Sequence, residues 1–348
     1  MQDSVALDIA SQVNANLTAE VRGALGSHHT VKPEAYEAYL RGRGEIEKQT
    51  QASIRKSAGY FQQAIDLDPF YAAGHAGLAD SYSLMANYSV ITPREAFPRA
   101  EAAARKALEM DPLLPEPHAS LAVIKHHFYW DWSGAEAEYR RAVELVPGFS
   151  MAHLRYAWYL SDCGRHEEAL AEIRKARDSD PLSLIIRNNV GRVFYFWRRY
   201  DDAIRELQNI LAIDPNRIFA RFLLGAAYEQ KRMYAEAIAE YRRGEELMGI
   251  SGGTGLASTY AASGRTSDAR RLLVELEKVP ENGVVDWYYI AAIYGTLGDK
   301  QQAFAWLERA YENRDYFLTQ IRVDPRMDPL RSDPRFARLL VRIGMPGA

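Results

Sequence analysis

Cysteine is nearly missing from the chain: Cys163 stands alone among 348 residues, so no intrachain disulfide forms and a structural zinc site has too few thiolates. No uninterrupted apolar run of about 18 residues occurs, which argues against a membrane-spanning helix. The first thirty residues, with Asp3, Asp8 and Glu20 among them, lack a basic start followed by an apolar stretch, and no signal peptide is expected. An excess of one charge is absent too. Lys and Arg number 43 against 46 Asp and Glu, net −3, so direct nucleic-acid binding, which usually shows as a basic surplus, is not expected. Long period-two alternation, the mark of strands, is lacking, and the apolar stripes have helical period. With 47% apolar residues the chain can bury a large core. The expectation is an all-α, soluble protein whose compartment stays open.

What the chain does have is a repeat. Pro69, Pro112, Pro147, Pro181 and Pro215 are spaced 43, 35, 34 and 34 apart, and four of them follow Asp. Five, eight and twelve residues before each lie small or apolar side chains, such as Ala142, Tyr139 and Ala135 before Pro147. That is one helix face ending at a stop, because proline disfavours helix in the residue before it. A second register is a small residue: Ala79, Ala122, Ala157, Gly191, Gly225, Ala257 and Ala291, spaced 43, 35, 34, 34, 32 and 34. A small residue at one fixed place per unit predicts a close helix crossing, where overpacking costs about 1–3 kcal/mol.

The runs Tyr156-Ala157, Leu160, Gly164, Ala169, Ile173, Ala176, Pro181 and Ile290-Ala291, Tyr294, Gly298, Ala303, Leu307, Ala310 resemble the tetratricopeptide repeat. The resemblance implies a right-handed superhelical solenoid of about eight helix-turn-helix units over residues 33–315, with a linking or capping helix in 1–30 and a capping segment in 316–348. Two departures stand out. The second unit has about nine extra residues around Ala86 to Phe97, expected as a longer loop or helix, and the sixth ends in Met248 to Gly253 without Asp-Pro, expected as a flexible joint. Segments such as Tyr129-Trp130-Asp131-Trp132 and Asp328-Pro329-Leu330-Arg331-Ser332-Asp333-Pro334 also resemble the C-terminal repeat region of large bacterial signalling proteins. In those proteins a winged-helix regulator, kinase or nucleotide cyclase precedes the repeats. The implied role is a sensor or docking region that catalyses nothing.

Such arrays bind extended partners on the concave face lined by the first helix of each pair. Positions three before and one, four and five after each small residue should point there. They collect Asp80, Ser83, His126, His127, Leu154, Trp158, Asp162, Asn188, Arg192, Tyr195, Phe196, Phe222, Glu229 and Gln230. A protein or peptide partner is expected in a mixed apolar groove; the alternative is a sensory domain closing on a small molecule. Tyr195, Phe196 and Phe222 also fit core packing between first helices, and Arg192 and Glu229 also fit solvated or mutually paired charges. No cofactor and no metal are expected: His118, His126, His127 and His153 diverge around their helices. Gly249-Ile250-Ser251-Gly252-Gly253 spells a nucleophile elbow but follows a helix where that motif needs a strand. At the ends, an amphipathic helix near Asp333 to Ile343 should cap the array. A stripe of Val5, Ile9, Val13, Leu17 and Val21 in Ser4 to Leu25 leaves an end cap and a dimer contact equally open.

Overall fold

The computed structural model describes residues 29–278 and 285–347. The expected helix at Ser4 to Leu25, and the homo-oligomer it could support, lie outside the described residues. Within them the chain forms seventeen α-helices and no strand, sixteen of the helices in eight consecutive packed pairs. The first four pairs are α1 Pro33–Glu47 with α2 Gln51–Leu67, α3 Ala72–Asn87 with α4 Pro93–Met110, α5 Pro115–Ile124 with α6 Trp132–Leu145, and α7 Ser150–Asp162 with α8 His166–Ser179. The next four are α9 Leu184–Phe196 with α10 Tyr200–Ile213, α11 Ile218–Gln230 with α12 Tyr234–Met248, α13 Thr254–Ala262 with α14 Thr266–Leu276, and α15 Trp287–Thr296 with α16 Lys300–Glu312. Short 3₁₀ turns Tyr316–Gln320 and Pro325–Leu330 then lead to α17 Pro334–Arg342.

Two local devices repeat along the array. Each proline stop holds the residue before it extended: Asp68, Asp111, Val146, Asp180 and Asp214 have φ between −141° and −131° and ψ between 80° and 95°. The turn inside each pair carries one left-handed residue, in order Gln49, Ser89, Trp130, Gly164, Arg198, Arg232, Gly264 and Gly298, with φ from 52° to 82°. Five of these eight are not glycine and hold a conformation that disfavours a Cβ by about 1–2 kcal/mol.

The irregular units have local causes. In the second repeat, α3 and α4 run 16 and 18 residues against 13 and 14 for α7 and α8, and the turn between them is longer by two, so helix and loop share the insertion. The extra residue of the third repeat is a π-helical turn, Lys125–Tyr129, which continues α5 and places both His126 and His127 inside. The expected flexible joint after α12 is instead a pinned turn: Gly252 and Gly253 donate backbone N–H groups to the buried Glu245 carboxylate at 3.0 and 2.7 Å.

All seven small residues of the repeat register are buried at helix crossings. One very tight crossing lies beside that register, where the Phe61 ring of α2 is wedged between Gly42 of α1 and Gly77 of α3. Curvature then brings distant repeats together. Arg217, just before α11, donates to the Gln49 side-chain carbonyl after α1 at 2.9 Å, joining repeats one and six, and Arg94 of α4 donates to the Glu312 carbonyl closing α16 at 3.2 Å.

Two substitutions test these devices. A Cβ at Gly77 would lie 2.4 Å from the fully buried Phe61 ring, so Gly77→Ala should destabilise by about 1–3 kcal/mol despite alanine's better helix propensity, read from urea unfolding. Arg232 has an exposed side chain at φ 60°, so Arg232→Gly should raise stability by about 1 kcal/mol in the same assay.

Candidate functional site: the concave face

The segment after α16 does more than cap the last repeat. α17 does pack on α16: Arg342 forms a bidentate pair with Glu308 at 2.6 and 2.7 Å and lies over Tyr311, and Arg335 lies over Phe304. Yet residues 316–328, ahead of it, reach along the first helices of the middle repeats. The Tyr316 ring stacks on His127 with centroids 3.8 Å apart, and its carbonyl lies 3.0 Å from His127 Nδ1. Thr319 donates to Asp162 at 3.1 Å, Arg192 reaches Gln320 at 3.5 Å, and Arg198 holds Asp328 through two bonds of 2.6 and 2.7 Å. Trp132 Nε1 donates to the Ile343 carbonyl at 2.7 Å. Leu318, Ile321, Met327 and Leu330 of the segment are fully buried.

At its centre the segment carries its own ion pair. Asp324 accepts from Arg326 at 3.0 and 2.7 Å and from the Tyr288 hydroxyl at 3.0 Å, with Arg326 lying over the Tyr289 ring. Buried charges persist only when paired and hydrogen-bonded, and this pair meets both conditions. Burial pushes the Asp162 carboxyl up to about 6, opposed by Arg192 and by the Thr319 hydroxyl. Asp315, which accepts backbone N–H bonds from Phe317 and Tyr288, is pushed up to about 7 by burial.

The concave positions expected from the sequence fall into three groups. His126, His127, Asp162, Arg192, Tyr195 and Phe196 lie on the inner face, but around the C-terminal segment: Arg192 joins Asp162 at 3.3 Å and stacks between Trp158 and Phe196. Arg192 and Glu229 do not pair with each other. Glu229 accepts from Ser258 and Thr259 at 2.9 and 2.6 Å, and Phe222 packs on Tyr241 of its own second helix. Gln230 sits partly buried at the end of α11.

Asp80, Ser83, Leu154, Trp158 and Asn188 form the third group and line a cavity enclosing about 940 Å³ of empty space, part of it open to solvent. Arg43, Tyr88, Met151, Arg155, Ile185 and Phe219 line it as well, with Tyr316 as one wall, and none of these came from the inward-position count. Arg155 pairs with Asp80 across two repeats. A count two residues before the small position would have found Arg155 and Asn189; Arg43, Phe219 and Tyr316 gather only through the superhelical closure.

Signals that resembled chemistry resolve into structure. His118 and His153 each bond a glutamate of the following helix, Glu138 at 2.7 Å and Glu172 at 2.6 Å, and Arg221 bonds Glu240 in the same register. No cluster of three or more metal-ligating side chains occurs among the described residues. Ser251 follows α12 in the pinned turn, without the strand that an elbow needs.

Comparison with known proteins joins this geometry to a family. Tetratricopeptide-repeat families match residues 131–183 and 188–247, and again 287–315. The matched stretches are tetratricopeptide repeats. Solved structures agree on the fold: the monomeric IFIT1 mutant with Gppp-AAAA superposes with TM-score 0.56 at 13% identity, covering 88% of this chain and 75% of that one. The Cut9 complex with Hcn1 of the APC/C gives TM-score 0.55 at 14% identity over 83% of this chain and 52% of that one. The transcriptional regulator HilA of Salmonella typhimurium is 27% identical over 143 residues, which is 41% of this chain. HilA of Salmonella typhi matches to the same extent. The chain spans about a quarter of the length of these curated relatives, 26%. No described helix is long and apolar enough to cross a membrane.

The buried histidines make the joint between array and C-terminal segment sensitive to acid. Burial and the nearby Arg192 charge push His127 down to about 3 against the Tyr316 carbonyl, while an unfolded histidine titrates near 6.5. The unfolded chain therefore takes up this proton first as pH falls, so the stability linked to His127 is whole above about 6.5 and is lost toward 3. His127→Phe keeps the ring stack on Tyr316 and removes the proton. From pH 7 to about pH 5 the unmodified chain should lose about 2 kcal/mol more unfolding free energy than the variant, measured by urea titration at both pH values.

Proposed function

We propose that this repeat array is the docking part of a signalling protein and binds a protein segment in the cavity that the C-terminal segment leaves open. The observation that carries the reading is the division of the inner face. Around Asp162 it is filled by the chain's own residues 316–328, whereas first helices from repeats one to six converge on an open cavity with Trp158, Phe219 and Tyr88 at its wall. Large aromatic and arginine side chains around a partly desolvated cavity are those that most often dominate binding energy. The charged lining balances, two arginines (Arg43 and Arg155) against two carboxylates (Glu47 and Asp80), which favours a protein segment over the polyanionic backbone of a nucleic acid. The partial match to HilA supports a place beside a regulatory output domain, and the array together with residues 316–347 is then one folding unit.

The test uses a partner identified by crosslinking to this face and then purified. Trp158→Ala combined with Arg43→Ala should weaken its binding by about tenfold or more while the melting temperature stays within a few degrees, since tenfold corresponds to about 1.4 kcal/mol. Unchanged affinity in the folded double variant would move the docking surface away from this cavity. Arg192→Ala serves as a contrast: it removes the buried partner of Asp162 and should act on stability first.

A further inference from the structure

Where the second and eighth repeats meet, the array encloses another cavity, about 550 Å³ of empty space, part of it open to solvent. That volume is in the range of small-molecule sites. It lies beside the contact of Arg94 with the Glu312 carbonyl and shares only Tyr316 with the docking cavity. Two carboxylates stand there at one helix start. Asp286 is the residue just ahead of α15, the place from which an aspartate normally accepts a backbone N–H two or three residues on. It makes no such bond. Asp315 takes that role instead, accepting the Tyr288 N–H at 3.1 Å and the Phe317 N–H at 2.9 Å. Asp286, partly buried and lining the cavity, is left without a side-chain hydrogen bond or ion pair among the described residues.

The charge around this space does not balance. The N-termini of α4 and α15 and the C-termini of α3 and α16 all border the cavity, so their dipoles offset one another. The side chains set Arg94 against Asp286 and Asp315, and Arg94 is already engaged by the Glu312 carbonyl. Burial pushes the Asp286 carboxyl up, and it pushes Asp315 up to about 7 with the Asp286 charge adding to the rise. A desolvated carboxylate without a partner favours taking up a proton or a cation. The rest of the wall selects the cation: Ala86, Pro93, Val285, Trp287, Tyr316 and Phe317 supply rings and aliphatic surface. Calcium or magnesium would need about six oxygen ligands, and one of the two carboxylates is spent on backbone N–H groups. An ammonium needs fewer acceptors, and an apolar body attached to it suits aromatic and aliphatic walls.

We propose that the cavity between repeats two and eight binds a small organic ammonium, a primary amine on a short apolar body, with Asp286 as its counter-ion. The site is separate from the docking cavity and stands or falls without it. Its walls come from α3 and α4 on one side and from α15 and the residues after α16 on the other, so an occupant held by Asp286 ties the two ends of the array together.

The test is calorimetric titration of the full chain, at about pH 8 and constant ionic strength, with n-butylammonium, with 1-butanol as its neutral counterpart and with magnesium as the bare cation. Butylammonium should bind at millimolar concentration or better and butanol about tenfold weaker or worse, a difference of about 1.4 kcal/mol. Asp286→Asn keeps the shape and removes the charge. Because Asp286 makes no cap, the variant should keep or raise the melting temperature while weakening butylammonium by about tenfold or more. Butylammonium should also raise the melting temperature of the unmodified chain and leave that of Asp286→Asn where it is. Asp178→Asn, at an exposed carboxylate, serves as the control for general charge attraction and should leave the affinity unchanged. Butylammonium that does not bind, that binds no better than butanol, or that binds Asp286→Asn equally well overturns the proposal. So does a loss of affinity in Asp178→Asn as large as in Asp286→Asn. Magnesium bound in preference to butylammonium would make this a metal site, and an Asp286→Asn chain that unfolds more easily would assign Asp286 to the fold; either result overturns the proposal as well.

Discussion

Everything in this molecule depends on how closely paired helices cross. Alanine or glycine at one place per repeat lets backbones approach, and Phe61 between Gly42 and Gly77 shows how little room is left. Close crossings repeated eight times impose a steady rotation from pair to pair, and the rotation closes the array until repeat one touches repeat six through Gln49 and Arg217. A closed array has an interior, and that interior must be filled with partnered groups or remain a cavity. The chain does both, the first with residues 316–328 and the second around Asn188.

Much of the architecture was legible without coordinates. The prolines reported helix stops because the backbone before a proline is confined to extended conformations, and the five stops share one geometry. The short side chains reported crossings because only they tolerate the approach. These two registers carry the resemblance to the tetratricopeptide repeat, which implied an all-α superhelix of about eight pairs, and the described residues form eight packed pairs. The capping helix near Asp333 to Ile343 was legible for a third reason, since Phe336 and Leu339 on one stripe must be covered.

The site was legible only in part, and the reason is distance along the chain. Counting positions within one repeat finds which side chains face inward, and it found Asp80, Leu154, Trp158 and Asn188. It does not show what else arrives at the inner face. Gln320 meets Arg192 across 128 residues and Thr319 meets Asp162 across 157, contacts set by the accumulated rotation of several repeats. Residues that looked available for a partner, such as Asp162 and Arg192, are therefore committed to the chain itself. The π-helical turn had a trace in the 35-residue spacing of the third repeat, but a count of one extra residue does not say that it rotates His126 and His127 inward.

The hooks between remote repeats change the mechanics of the body. An open array of stacked pairs can fray from either end, because each unit leans only on its neighbours. Here Arg94 fastens the second pair to the eighth, and Trp132 fastens the third to the chain's last turn. Loosening one end thus loosens the middle. With the second pair hooked to the eighth and the first to the sixth, the described array should open cooperatively rather than unit by unit, so that a load on its hollow spreads beyond the repeat it touches.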